Sequence, residues 1–126
     1  MHSAIKIAAA AFASLLVTAP VLAIAADPTG TWAATDGKSR YEITLCGGGE
    51  ALCGRLIWLR DADDPNRDFL NEVIVQGEPA AENKWTGSVI HEGGTYAGTM
   101  IMTGEGRLKV TGCQAIFCQT VNLTKV

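Results

Sequence analysis

The cysteines are the residues whose spacing most clearly predicts chemistry. The chain contains four, arranged as the couples Cys46/Cys53 and Cys113/Cys118, and each couple brackets a predicted turn beside a glycine. Four cysteines in a small exported chain are typical of two disulfides. Three pairings are open. The two local ones are favoured, because Gly47 and its neighbours allow the tight reversal that would bring Cys46 and Cys53 onto facing strands. Zinc is disfavoured, since neither couple has C-x-x-C spacing.

Histidine and carboxylate chemistry has less support. His91 has only Glu92 beside it, and no G-x-S-x-G motif or other nucleophile-and-base pattern accompanies it. We therefore expect His91 to be a surface residue. The acidic segment 61–68 resembles a calcium loop in its aspartate spacing, but Pro65 occupies a ligand position and Asn66 replaces the required glycine. A solvated loop is the preferred interpretation. We predict no catalytic residue, no metal and no cofactor, and we rank an enzyme third among the functional hypotheses.

A set of large apolar side chains is the candidate ligand-binding group. It consists of Trp58, Trp85, Tyr96 and Met100, and Met102 lies on the same strand face as the last two. Such side chains line apolar pockets, but they also form the cores of small domains. The sequence alone leaves both interpretations open.

The pattern Gly30-x-Trp32 at the start of the first predicted strand indicates a structural contact. In small barrels such a tryptophan can close one end, with a basic residue of the last strand against its face. Lys125 is the candidate for that basic residue. We expect Gly30, Trp32 and Lys125 to have a structural role and no catalytic one.

The N-terminal segment has the pattern of a secretory signal. A basic start is followed by an apolar run from Ile7 to Val17 and by the small residues Ala23-Ile-Ala25, where cleavage after Ala25 or Ala26 is expected. We therefore predict a signal peptide over 1–25, a single domain over 26–126, and a periplasmic or secreted location.

The charge of the predicted mature domain excludes some classes of partner. Loss of Lys6 takes the net charge from −3 for the whole chain to −4. Nucleic acid is an improbable partner, since phosphate binding requires a basic patch. No stable membrane insertion is expected after cleavage, because no later segment is a long apolar run or a basic amphipathic helix.

Alternation of apolar and polar residues with turn signals predicts an all-β domain of about eight strands. On the third strand, Leu56 and Trp58 are expected to share a face. The segment Gly77–Asn83 is predicted to be a turn, because Pro79 cannot donate a hydrogen bond to a strand ladder. The predicted strands are Gly30–Ala34, Ser39–Cys46, Leu52–Leu59, Glu72–Gln76, Lys84–His91, Thr95–Thr103, Arg107–Cys113 and Phe117–Lys125.

The short connections favour one arrangement of these strands. Successive hairpins make sequence neighbours pair in antiparallel fashion, and closing the sheet into an up-and-down barrel removes its exposed edges. A two-sheet sandwich is the alternative, but it requires longer crossing connections. An eight-stranded barrel has an interior that side chains nearly fill or that admits one small ligand.

The order of motifs resembles an exported bacterial family, domain of unknown function 2147. The resemblance lies in Gly30-Thr-Trp32, in the two cysteine couples with their glycines, in Lys84-Trp-Thr-Gly87, and in the last two strands through Lys125-Val126. It implies a lipocalin-like β-barrel of the periplasm or cell exterior without an established activity.

Two binding hypotheses follow. The first is a non-enzymatic module that holds a small apolar or amphipathic ligand at an open end of the barrel, through Trp58, Trp85, Tyr96 and Met100. The second is a protein-binding barrel, such as an inhibitor of an exported hydrolase, that acts through the acidic loop 61–68 or the hairpin tips. A cavity would favour the first hypothesis and a filled interior the second.

Overall fold

The computed structural model describes residues 27–126, so the predicted signal peptide and its cleavage site lie outside the described residues. Eight antiparallel strands form the domain, and one short 3₁₀ turn, Arg67–Phe69, interrupts the loop between the third and fourth. The strands are β1 (Gly30–Ala34), β2 (Ser39–Cys46), β3 (Ala51–Leu59), β4 (Val73–Ala81), β5 (Lys84–His91), β6 (Gly94–Gly104), β7 (Arg107–Gln114) and β8 (Phe117–Lys125).

The strands close into a barrel in the order in which they occur in the chain. Each strand pairs with its neighbours, and β1 pairs with β8 through Trp32 opposite Lys125 and Ala34 opposite Leu123. The predicted up-and-down barrel is therefore confirmed, and the sandwich alternative is wrong. Pairing of the first and last strands leaves no long free sheet edge.

Successive antiparallel strands place alternate connections at the same end of the barrel. The end that we call the mouth carries the turn at 35–38, the loop at 60–72, and the turns at 92–93 and 115–116. The end that we call the closed end carries the turns at 47–50, 82–83 and 105–106. In the part of the chain that the structure describes, no helix is long and apolar enough to cross a membrane.

The core is built from the inward-facing side of each strand. Trp32, Leu52 and Met100 are completely buried, and Leu56 and Leu108 are each 1% exposed. Around them lie Ala34, Ile43, Ile74, Val75, Trp85, Met102, Val110 and Leu123. The alternation predicted for β5, β6 and β7 is confirmed, because the polar or charged neighbours of these residues lie on the outer wall.

A bulge in β3 changes the predicted position of Trp58. Leu56 pairs with Tyr41 and Trp58 pairs with Arg40, so Ile57 is an extra residue with no opposite partner. An extra residue shifts the inward–outward alternation by one position. Leu56 consequently points inward, whereas Trp58 is 41% exposed and lies under the Arg40 guanidinium, 5.3 Å from the ring centroid. The prediction that these two side chains share a face is wrong.

The prediction of a turn over Gly77–Asn83 is also wrong for most of its length. Strand β4 continues to Ala81, and only Glu82 and Asn83 form the turn. Pairing with β3 ends at Gly77, so the rest of β4 pairs with β5 alone and Pro79 lies next to a register shift. A proline is tolerated at an edge or irregularity, because its missing N–H interrupts no ladder there.

Both local disulfides are confirmed, and they lie at opposite ends of the barrel. Cys46–Cys53 spans the β2–β3 hairpin at the closed end. Cys113–Cys118 joins directly opposed residues of β7 and β8 at the mouth. Each bridge therefore fixes the tip of one hairpin.

Candidate functional site

The interior of the barrel is hollow at the mouth. A cavity of about 230 Å³ lies among β5, β6, β7 and β8. Its apolar lining comes from inward-facing residues, chiefly Val89, Tyr96, Val110, Phe117 and Val121. This volume exceeds the engineered apolar cavity of about 150 Å³ that accepts benzene. The site is therefore large enough to receive an apolar group.

A smaller hollow of about 60 Å³ continues from this cavity towards β2, β3 and β4. The two share Val89, His91, Val110 and Val121 as lining residues. The smaller one adds apolar walls deeper in the barrel, from Ile43, Leu56, Ile74, Val75 and Leu123. We refer to the two hollows together as the mouth cavity.

Small residues on the inward face keep this space open. Gly54 and Gly112 line the cavity without a side chain. A Cβ atom at Gly112 would lie 3.2 Å from Cβ of Tyr96, and one at Gly54 would lie 3.1 Å from Cβ of Val75. The glycines thus allow the side chains of neighbouring strands to approach the wall, where larger residues would displace them.

The loop at 60–72 covers one side of the mouth. Phe69 packs against the core, and the Arg60 amide donates to the Lys38 carbonyl at 2.9 Å. Asn66 accepts a hydrogen bond through Oδ1 from the Glu92 amide at 2.7 Å, which joins the loop to the β5–β6 turn. This loop is held in place by the β1–β2 and β5–β6 turns.

The β7–β8 hairpin forms a different part of the rim. Ile116 is 88% exposed and Phe117 is 76% exposed at its tip. Phe117 is opposite Gln114, and both face the cavity, whereas the Cys113–Cys118 bridge lies on the outer wall. The mouth therefore has an exposed apolar edge on the side opposite the loop at 60–72.

Polar groups also line the cavity, from Tyr41, Asn66, His91, Tyr96, Gln114 and Gln119. Ser39 Oγ donates to the Tyr41 hydroxyl at 2.9 Å. Burial raises the pKa of Tyr41 above its ordinary value; the bond from Ser39 opposes this effect, and the nearby negative charges of Asp36 and Asp64 add to it. Across the mouth, His91 Nε2 lies 3.0 Å from Glu92 Oε2, and the His91 ring meets Tyr96 edge-on with 6.4 Å between centroids.

At the closed end, large side chains such as Trp32 and Trp85 are buried in the interior. Trp32 Nε1 donates to the Pro28 carbonyl at 2.8 Å, and Lys125 Nζ lies 5.8 Å from the Trp32 ring centroid. This is the arrangement that the Gly30-x-Trp32 pattern predicts. Trp85 Nε1 donates to the Glu50 carbonyl at 3.2 Å. Beside Trp85 there is an open surface groove of about 420 Å³.

Comparison with known proteins gives a family for this architecture. The model of an uncharacterised protein family conserved in bacteria, DUF2147, matches residues 30–125. The match begins at the first residue of β1 and ends at the last residue of β8, so it covers every strand of the barrel. The chain belongs to the DUF2147 family.

The other two comparisons add no relative of this DUF2147 chain. No curated protein matches it, and no solved structure matches it. The predicted resemblance to the family is confirmed, and the family description assigns no activity. Only the residues of the site therefore bear on its function.

The four predicted ligand-binding residues are not brought together in this DUF2147 barrel. Tyr96 lines the mouth cavity. Trp58 is on the outer wall as a result of the β3 bulge, so its assignment to an interior site is corrected. Trp85 lies at the closed end, and Met100 is completely buried among the core residues. These two belong to the packed part of the barrel.

Sequence reasoning missed the valines and glycines that line the cavity. Val110 and Gly112 face inward on β7, and Val121 is opposite Val110 on β8. The usable signal was the decrease in size along the inward face of β7, from Leu108 through Val110 to Gly112. The sequence-based prediction relied on large aromatic and apolar residues instead, because hydrophobic and aromatic side chains predominate in ligand pockets.

The acidic and histidine residues form no metal-ligand group of three or more within residues 27–126. Within the acidic loop, Asp61 pairs with Arg60, whose hydrogen bond lowers the pKa of the exposed Asp61 carboxyl. Asn66 faces the mouth cavity, whereas its neighbours in the loop are mostly exposed.

Proposed function

We propose that this domain binds small apolar or amphipathic molecules in the mouth cavity and performs no chemical reaction on them. The observation that supports the proposal is an apolar interior space of about 230 Å³ that opens at one end of an otherwise packed barrel. Burying apolar ligand surface there is favourable by about 25 cal/mol per Å² removed from water. The exposed Phe117 at the rim offers further apolar contact to an entering ligand.

We assign the ligand contacts to Val89, Tyr96, Val110, Phe117 and Val121, in place of the set expected from sequence. All five line the same cavity. They come from four consecutive strands, β5 to β8, so a bound molecule would contact all four. The packed closed end supplies a rigid support for the walls.

The binding test uses a fluorescent apolar amine, N-phenyl-naphthylamine, and two variants on the same strand. Val121→Phe adds a ring inside the cavity, whereas Thr120→Phe adds the same ring on the outer wall one residue away. We expect the wild-type protein to enhance the emission of the dye and Val121→Phe to weaken binding about tenfold or more, since the ring occupies the apolar space. Thr120→Phe should bind as the wild type does.

Two outcomes would count against the proposal. A wild-type barrel that gives no emission change and shows no bound molecule by native mass spectrometry would refute binding in the cavity. Equal loss of affinity in Val121→Phe and Thr120→Phe would place binding elsewhere. Thermal unfolding of each variant establishes that the fold is retained.

A protein-binding role is the second candidate, and the β7–β8 tip is the observation that favours it. Ile116 and Phe117 are exposed apolar residues on a hairpin held by the Cys113–Cys118 bridge. Exposed apolar patches commonly mark protein–protein interaction sites. Substitution Ile116→Ser should abolish capture of a protein partner while leaving dye binding unchanged. If this variant still captured the partner, the β7–β8 tip would be excluded as the protein-binding surface.

We further propose that the domain functions in an oxidising compartment outside the cytoplasm. Two disulfides and no free cysteine among the described residues support this location, because cytosolic thiols are kept reduced. Fractionation of cells, together with mass determination of the purified N-terminus, tests export and cleavage. A cytoplasmic protein with free thiols would contradict the proposal.

A further inference from the structure

We propose that the hydroxyl pair of Ser39 and Tyr41 is the polar anchor of the mouth cavity and selects a ligand with an uncharged, oxygen-bearing headgroup. Alcohols and esters with an apolar chain are the chemical class that fits this description. The inference rests on the proposed binding function and specifies which molecules that cavity accepts.

The position of the pair is unusual for polar groups. Ser39 is 9% exposed, and it is the one buried polar or charged residue in the described part of the chain. Its Oγ lies 2.9 Å from the Tyr41 hydroxyl, and Tyr41 lines the deeper part of the cavity. Buried polar atoms normally have partners, because an unmade hydrogen bond costs free energy.

The hydrogen-bond inventory leaves the pair able to bind one more group. Two hydroxyls carry two protons, and the bond from Ser39 to Tyr41 uses one of them. The Tyr41 proton has no other acceptor among the hydrogen bonds of residues 27–126. A ligand oxygen at the cavity wall would accept a hydrogen bond from the Tyr41 hydroxyl. A ligand hydroxyl would in addition donate to one of the two protein hydroxyl oxygens.

The charges near Tyr41 distinguish between headgroups. Burial raises the pKa of Tyr41, and the negative charges of Asp36 and Asp64 near its hydroxyl add to this shift. The same carboxylates repel an anionic headgroup. Across the whole mouth, seven carboxylates face three cationic side chains. They are Asp36, Asp61, Asp63, Asp64, Asp68, Glu72 and Glu92, against Lys38, Arg60 and Arg67.

The rest of the cavity specifies where the apolar chain lies. Ile43, Val110 and Leu123 line the deeper hollow together with Tyr41. An amphiphile with its oxygen at Tyr41 would place its chain against these residues or along the wider hollow towards Phe117. Ser39 acts as a positioning residue, since it fixes the orientation of the Tyr41 hydroxyl.

The experiment compares three amphiphiles with the same ten-carbon chain, namely decanol, decanoate and decyltrimethylammonium, by displacement of bound N-phenyl-naphthylamine at neutral pH. The variant is Tyr41→Phe, which removes the hydroxyl and keeps the ring. Thr111→Val is the matched control, because it removes a hydroxyl of the Thr111–Thr120 pair, 3.0 Å apart on the outer wall. Thermal unfolding is measured for both.

We expect decanol to bind more tightly than decanoate, and Tyr41→Phe to weaken the binding of decanol about three- to tenfold, the loss of one neutral hydrogen bond. Displacement by decyltrimethylammonium should be unaffected by Tyr41→Phe, and Thr111→Val should bind decanol as the wild type does. Equal binding of decanol by the wild type and by Tyr41→Phe would overturn the proposal that the Tyr41 hydroxyl anchors the headgroup. Tighter binding of decanoate than of decanol would overturn the headgroup assignment. Failure of the dye itself to bind would instead contradict the proposed function.

Discussion

The two ends of the barrel are built on the same eight strands, yet one is packed and the other is hollow. Towards the closed end, the inward positions of β6 and β7 carry Met100, Met102 and Leu108, all almost fully buried. Towards the mouth, β7 continues with Val110 and then Gly112. Strand pairing continues without interruption through both halves of β7 and β8.

Side-chain size along the strands, and not the backbone, therefore decides where the cavity lies. Eight strands give an interior that side chains can just fill. Large residues at one end therefore produce a core, and smaller residues at the other end leave space for a ligand. Stability and binding are consequently expected to be separable by mutation.

The largest difference between the ends is expected from truncation of a buried side chain. Leu108→Ala at the closed end should lower the free energy of unfolding by about 2–5 kcal/mol, because it removes buried methyl groups and leaves a cavity. Val121→Ala at the mouth should cost below about 1 kcal/mol, since Val121 is already 38% exposed. Urea unfolding of both variants measures the two values. Equal losses would show that the mouth is packed as tightly as the closed end.

The same substitution at two glycines should give the next largest difference. A Cβ at Gly77 would lie 2.2 Å from Cε of Met100 and 2.9 Å from Cβ of Trp85, so Gly77→Ala overpacks the core and should cost about 1–3 kcal/mol. Gly112→Ala meets Tyr96 at 3.2 Å beside open space, and its cost should be smaller. Thermal unfolding compares them. A larger loss in Gly112→Ala would contradict the assignment of the packed end.

Removal of each disulfide should separate stability from binding. Replacing either cysteine pair by serine should cost about 2 kcal/mol, because both bridges close short loops. Loss of Cys113–Cys118 should also weaken dye binding, since this bridge holds the rim of the cavity. Loss of Cys46–Cys53 should leave dye affinity unchanged in the folded protein. The reverse pattern would place the binding site at the closed end.

The smallest effect concerns the ionisation of Tyr41 on the covered side of the mouth. Its folded-state pKa is raised above the ordinary value of 10.0, mainly by burial. The contribution of Tyr41 to stability is therefore complete below that value and is lost as the pH rises through the folded-state pKa. Tyr41→Phe should flatten the decline in unfolding free energy at high pH. An identical decline in the variant would show that Tyr41 is not the group responsible.

Much of the fold was predictable because local patterns and global topology agree. Short turns between alternating segments specify neighbour pairing, and Cys113 and Cys118 directly opposite each other follow from the last hairpin. The two errors arose where pairing is irregular. The bulge at Ile57 and the one-sided pairing around Pro79 depend on how neighbouring strands align, which no local pattern encodes.

The candidate site was less predictable than the fold for a related reason. A cavity is defined by what is missing from the interior, and small residues such as Val110 and Gly112 carry no distinctive signal on their own. Tyr96 was the one predicted ligand residue that lines the cavity. The Ser39–Tyr41 pair depends on burial of a serine at the start of a strand, and serine is mostly an exposed residue.

The most direct test of the central claim is a decanol titration followed by NMR of methyl-labelled valine and methionine. We predict that the methyl signals of Val89, Val110 and Val121 at the mouth shift progressively, while those of Met100 and Met102 in the packed half stay nearly unchanged. Shifts confined to the two methionines, or no shift in any of these methyl groups, would contradict the account.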